Sequence, residues 1–144
     1  MIIAPATSSD VPAMANILTG WNASTEWMPR VHSRASEREF AQMLVGNGWT
    51  LVARDETRLL GFLSRDKRKV HALYVSPHAR GRGVGKALLD HAKQVSDSLS
   101  LYTFQDNDRA QRFYLREGFS EIFRTDGAGN DEGLPDICYE WRRA

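Results

Sequence analysis

The sequence predicts an α/β (α+β) chain: a mixed, mostly antiparallel sheet of six to seven strands flanked by helices. Three observations predict it. From Trp49 to Arg65 apolar residues take a period of two on both sides of the polar turn Asp55-Glu56-Thr57-Arg58, the pattern of an antiparallel hairpin. From Val70 to Phe104 the chain reads strand, helix, strand, which brings a helical crossover into the sheet. Further stretches carry apolar residues at helical spacing. Hairpins and a crossover together give a mixed sheet with helices on it.

Ile2 to Ala6 is short and apolar and makes a first strand. Ser8, Ser9 and Asp10 before Pro12 are helix-start signals: capping side chains, then a proline in the first turn. Val11, Met14, Ile17 and Leu18 give that helix its apolar face, and Gly20 ends it. Trp21 to His32 shows no period and reads as a loop or short helical turn. Ser36 with Glu39 three residues on forms a capping box for a helix bearing Phe40, Met43 and Leu44, stopped by Gly46-Asn47-Gly48. In the hairpin, Trp49, Leu51 and Ala53 alternate with Thr50, Val52 and Arg54, and Leu59 to Arg65 returns. After the turn Asp66 to Arg68 comes the strand Val70 to Val75, closed by Ser76-Pro77. Val84, Leu88, His91 and Val95 recur at helical spacing with Ala87 and Ala92 beside them. Leu99 to Phe104 is a strand. Asp106-Asn107-Asp108 then caps a helix with Ala110, Phe113 and Tyr114 on one face, and Gly118 suits its C-terminus. Phe119 to Thr125 is a strand, Asp126 to Pro135 a polar loop, and Ile137, Tyr139 and Trp141 alternate in a last strand.

The 144 residues fit one domain, 1–144, with a proper core. Hydrophobic residues at 42% and charged residues at 26% are ordinary for a soluble globular chain. The 19 Lys and Arg against 18 Asp and Glu leave a net charge of +1, which argues against a nucleic-acid-coating surface but not against a local basic pocket. Cys138 is the one cysteine, so no intrachain disulfide forms and a reducing cytoplasm is expected. Met1 to Asp10 lacks the basic and apolar regions of a secretory signal, and no apolar run approaches the length that spans a bilayer. Cys138 is isolated and the four histidines lack ligand spacing, so no metal site is expected.

The chemistry concentrates in Arg80-Gly81-Arg82-Gly83-Val84-Gly85-Lys86, between a strand and a helix. Lys86 occupies the last glycine position of a dinucleotide-binding G-x-G-x-x-G. Arg80 and Ala87 break the P-loop pattern. What remains is Arg-x-x-Gly-x-Gly opening a helix. Glycines let the backbone approach an anion closely, and the helix N-terminus favours it by about 0.3–2 kcal/mol. Arg80, Arg82 and Lys86 add charge.

Val75-Ser-Pro-His-Ala-Arg80-Gly-Arg-Gly83-Val-Gly85 resembles the acetyl-CoA-binding signature of the GNAT N-acetyltransferase superfamily. The block Asn107-Asp-Arg-Ala110-Gln-Arg-Phe113-Tyr114-Leu-Arg-Glu-Gly118-Phe119 is similar to that family's later helix motif. The resemblance spans about Lys69 to Thr125 and implies a GNAT-like sheet whose strands Val70–Val75 and Leu99–Phe104 splay to admit acetyl-CoA. It implies that Arg80, Gly81, Arg82, Gly83, Val84, Gly85 and Lys86 surround the diphosphate. Leu73, Tyr74 and Val75 would pair with the pantetheine arm, Asn107 would bond to it, and Tyr114 would protonate the leaving thiolate. A phenol near pKa 10 can donate to a thiolate near 8.5 without ionising first.

The acceptor amine needs a base, since an amine with a pKa of about 10.4 is almost wholly protonated at neutral pH, a deficit of about 4–5 kcal/mol. His71 titrates in the right range and sits on the thioester strand. His71-Ala-Leu-Tyr-Val75 also resembles the matching strand of arylalkylamine N-acetyltransferases. Glu26 is a second candidate base. Glu26 and Trp27 are the expected acceptor contacts, and the carboxylates of Asp126 to Asp136 would form a rim favouring a cation. The expected reaction is direct acetyl transfer to a small-molecule amine. The alternatives are acetylation of a protein N-terminus or lysine, or a CoA-binding module without turnover. The family resemblance also admits a homodimer.

Overall fold

The computed structural model describes residues 1–144, with seven strands joined in one sheet. The strands are β1 (Ile2–Pro5), β2 (Thr50–Arg54), β3 (Leu59–Asp66), β4 (Lys69–Val75), β5 (Ser98–Phe104), β6 (Ser120–Thr125) and β7 (Asp136–Arg142). The helices are α1 (Val11–Ser24), α2 (Arg34–Gly46), α3 (Val84–Val95) and α4 (Asp108–Arg116). In space the strands run β1-β2-β3-β4-β5-β7-β6. Every neighbouring pair is antiparallel except β4 and β5, which flank the α3 crossover and run parallel. The mixed, mostly antiparallel sheet expected from the sequence is therefore present.

The parallel pair positions the site. Lys69 and Ser100 are its one register pair, and the Ser100 N–H donates to the Arg68 carbonyl at 2.7 Å. Past that point the two strands separate. Each keeps its other neighbour, β3 for β4 and β7 for β5, so the sheet stays bonded on both sides of the gap.

Two apolar layers hold the faces. Leu60, Leu63, Val70, Leu99, Leu101, Ile137 and Tyr139 pack with Val84, Leu88, Leu89 and Ala92 of α3 and Tyr114 of α4. On the other side Val52, Phe62 and Ala72 pack with Met14, Ile17 and Leu18 of α1 and Ala41 and Leu44 of α2. Each fully buried aliphatic or aromatic chain contributes about 1.5–3 kcal/mol, which makes these layers the main stabilising term.

Three local expectations are corrected. Helix α1 does not stop at Gly20 but runs to Ser24. Trp21 packs edge-on against Tyr74 and Trp27, at 5.7 and 5.8 Å between ring centroids. A helical glycine costs about 1 kcal/mol. Burial of roughly 100 Å² of indole returns more, at about 25 cal/mol per Å². The cap of α2 is Ser33 rather than Ser36: the Ser36 N–H donates to Ser33 Oγ and the Ser33 N–H to Ser36 Oγ. Glu37, one position on, is buried and accepts from Thr19 and Asn22 of α1. On α3 the buried stripe is Val84, Leu88, Leu89 and Ala92, which turns His91 and Val95 to solvent.

Candidate active site

Beyond Lys69 and Ser100 a cleft of about 790 Å³ opens between β4 and β5. Its walls are the facing edges of those strands, the start of α3 and one side of α4. Leu73, Tyr74 and Val75 pair with β3 on one side and with no strand on the other. A free strand edge takes an extended amide chain as it would take another strand.

After Val75 the chain makes a tight turn at Pro77–Ala79 and then the glycine turn. Gly81 and Gly83 have φ of 76° and 78°, a left-handed conformation that costs other residues about 1–2 kcal/mol. Gly83 is the N-cap of α3 and has no side chain to satisfy it. The first N–H groups of α3, from Val84 to Lys86, thus have no intrahelical acceptor, and these residues line the cleft. Gly85 lies against α4 and the end of β4: a Cβ there would sit in ordinary van der Waals contact, 3.4 Å from Phe113 Cζ and 3.6 Å from Val75 Cγ2. Such a cradle fits a diphosphate.

The cations differ from expectation in part. Arg80 lines the cleft, whereas Arg82 is exposed and off its wall. Lys86 also lines it, but its ammonium is held by Asp90 at 3.2 Å and Glu117 at 3.3 Å, and hydrogen bonds to these carboxylates raise its pKa. Arg109, Arg112 and Arg116 line the cleft from α4. The sequence analysis assigns them no role, although their three- and four-residue spacing puts them on one helix face.

Asn107 is the N-cap of α4, its Oδ1 accepting from the Ala110 N–H at 3.1 Å. That role leaves its amide N–H₂ for the cleft it lines. Gln111 ties α4 to the end of β5 by donating to the Phe104 and Gln105 carbonyls. Tyr114 projects from α4 into the cleft wall, its ring packed against Phe113, Phe119 and Tyr139. Burial, and then the neighbouring Tyr74, push its hydroxyl well above the usual phenol range. It therefore stays protonated at any physiological pH.

His71 is the extra residue of a β-bulge: Ser64 faces Ala72 and Arg65 faces Val70, with no partner between. His71 is among the residues lining the cleft; its ring stacks on Trp49 at 4.8 Å with an 8° tilt, and its buried Nε2 has no hydrogen bond. Burial, with Lys69 adding, lowers its pKa. Its ring is neutral near pH 7 and able to accept a proton.

The structure does not bring Glu26 to the cleft wall; it is exposed. Trp27 is one layer back, bridging two wall residues edge-on: Trp21 at 5.8 Å and Phe104 at 5.7 Å. A different carboxylate, itself outside the cleft lining, stands behind the wall residue Tyr74. Glu132, from the loop between β6 and β7, faces His32 at 3.5 Å. Its Oε2 is buried without a hydrogen bond, and its charge is felt at the Tyr74 hydroxyl, which burial first and then Glu132 push up to about 12.

Residues 46–121 match the sequence model of the family described as Acetyltransferase (GNAT) domain. Over 146 aligned residues the chain is 32% identical to the peptidyl-lysine N-acetyltransferase YiaC of Escherichia coli strain K12, covering 97% of this chain and 96% of that protein.

The chain belongs to the GNAT acetyltransferase family.

Its fold matches that of other GNAT structures. The apo form of Escherichia coli YjaB superposes with a TM-score of 0.82 at 21% identity over all of both chains. Salmonella typhimurium YncA, solved with its cofactor acetyl-CoA, gives 0.75 at 20% identity over 100% of this chain and 94% of that one.

Proposed function

We propose that this chain moves the acetyl group of acetyl-CoA to a primary amine, and that the amine is a protein lysine side chain. The observation that carries the donor half is one cleft uniting the uncapped start of α3, the unpaired edge of β4 and the buried phenol of Tyr114. The N–H groups from Arg82 to Gly85, with Arg80, would hold the diphosphate. Leu73 to Val75 would pair with the pantetheine arm as an added strand, and the Asn107 amide would meet it from α4. The same β4 backbone would polarise the thioester carbonyl.

His71 would take the proton of the incoming ammonium. The neutral nitrogen bonds to the carbonyl carbon, the C–S bond breaks as Tyr114 gives its proton to the departing sulfur, and the nitrogen, cationic after attack, sheds its second proton to restore the phenol, while His71 passes the first to solvent. A base lowered below the ordinary histidine range remains ready at pH 7.

The lysine half rests on two supports. The relative matching nearly the whole chain is named a peptidyl-lysine N-acetyltransferase. The acceptor side offers the rings of Trp21, Tyr74 and Phe104 for an aliphatic stem, with the Glu132 carboxylate nearby for its charge. A small unbranched alkylamine would meet the same rings and carboxylate, which makes a small-molecule amine the second reading. The free, buried Cys138 suits a reducing cytoplasm.

Thiol release from acetyl-CoA, followed over lysine peptides and small alkylamines, tests this. Peptide-dependent release supports the lysine reading. Release with small amines alone supports the second. Tight acetyl-CoA binding with no release on any amine leaves only a binding module.

A further inference from the structure

The cleft holds more positive charge than one diphosphate and one helix start require. Arg109, Arg112 and Arg116 all line it, all are exposed, and none makes an ion pair. Lys86, by contrast, is already neutralised by Asp90 and Glu117.

The stripe is fixed beside the glycine cradle by two contacts. Phe113 lies where a Cβ on Gly85 would be 3.4 Å away, so the α4 face meets the first turn of α3. Glu117, just past α4, binds Lys86 of that same turn at 3.3 Å. The Arg116 guanidinium lies 5.8 Å from the centroid of the Phe113 ring. Arg112 and Arg116 therefore stand next to the diphosphate cradle, while Asn107 and Arg109 lie at the other end of α4, nearer the open end of β5.

We infer that Arg112 and Arg116 form a second anion subsite that reads a phosphate monoester on the nucleotide end of the donor, the ribose 3′-phosphate that separates CoA from dephospho-CoA. This rests on acetyl-CoA as the donor. Guanidinium groups match phosphate oxygens in a two-pronged fashion, and a cation without a carboxylate partner has no bond to give up on binding. Each charge-assisted contact corresponds to about tenfold in affinity or more. The enzyme would thus discriminate between two donors that carry the same thioester.

Calorimetric titration of the full chain with acetyl-CoA and with acetyl-3′-dephospho-CoA decides it, using wild type, Arg112→Ala, Arg116→Ala and the rescue variant Arg112→Lys. Wild type is expected to prefer acetyl-CoA by about tenfold or more. The alanine variants should lose most of that preference while binding the dephospho donor as wild type does, and Arg112→Lys should keep part of it. Equal wild-type affinity for the two donors overturns the inference. So does an equal loss for both in the variants, or a loss seen only as a raised KM for acidic acceptor peptides, which would make the stripe an acceptor surface. Binding of neither donor by wild type overturns the donor reading itself and the subsite with it.

Discussion

Replacing Tyr114 with Phe removes one oxygen from the centre of the proposed chemistry and little else. The ring keeps its contacts with Phe113, Phe119 and Tyr139. Burial and the neighbouring Tyr74, and no hydrogen bond, set the hydroxyl's raised pKa, so folding stability should change by less than about 1 kcal/mol. Acetyl-CoA affinity should hold for the same reason, since the cradle and the β4 edge are untouched. Turnover should not hold. A positioned general acid contributes about 10²–10⁴-fold, and the raised pKa of this phenol keeps its proton available across the assay range. Stopped-flow thiol release with saturating acceptor, paired with calorimetry for acetyl-CoA, separates the two effects. A fall in kcat of about 10²-fold or more at unchanged donor affinity is expected. A kcat within twofold of wild type would remove the acid role, and a parallel loss of donor affinity would make Tyr114 a binding residue instead.

Other consequences follow from the same geometry. His71→Gln should flatten the acid limb of the pH–rate profile. In wild type that limb should lie below the ordinary histidine value of 6.5, because burial lowers the pKa; a limb at or above it refutes the assignment. The same shift has a stability sign. The folded state disfavours the charged ring, so its stabilising contribution is complete above the unfolded pKa and is lost as pH falls through the folded one. Denaturation midpoints of wild type and His71→Gln should then converge towards acid pH. Gly127→Ala should disturb the acceptor side, because φ there is 85° and a Cβ would lie 2.2 Å from the Leu134 carbonyl oxygen. The expected outcome is a loss of more than about 1 kcal/mol in urea denaturation and a raised acceptor KM with donor affinity retained. Leu88→Ala, at a fully buried position between α3 and the sheet, should cost about 2–5 kcal/mol.

The order of strands and helices was legible because period-two and period-3.6 patterns alternate cleanly along the chain, and because capping residues and glycines punctuate them. The errors lie where tertiary packing outweighed local preference. Gly20 reads as a stop, but the Trp21 rings-on-rings contact carries α1 past it. His91 has the spacing of the α3 stripe, yet the sheet takes Leu89 and Ala92 instead. The geometry of the glycine turn was legible as motif, since it depends on φ and on a helix start, both local properties. The charges around it were not. Lys86 looks free until Glu117 folds against it, and Arg112 and Arg116 look like surface charge until Phe113 docks α4 beside Gly85. The acceptor side was least legible. The pairing of His32 with Glu132 joins two loops far apart in the chain, while Glu26, the carboxylate beside Trp27, stays outside.

Mass spectrometry of a single turnover, with isotopically labelled acetyl-CoA and excess lysine peptide, reaches the central claim most directly. Direct transfer in this cleft gives one labelled acetyl group on the lysine side-chain nitrogen for each thiol released, with the enzyme itself unlabelled. Thiol release that leaves the peptide unmodified, or label retained on the enzyme, would contradict direct transfer in this cleft.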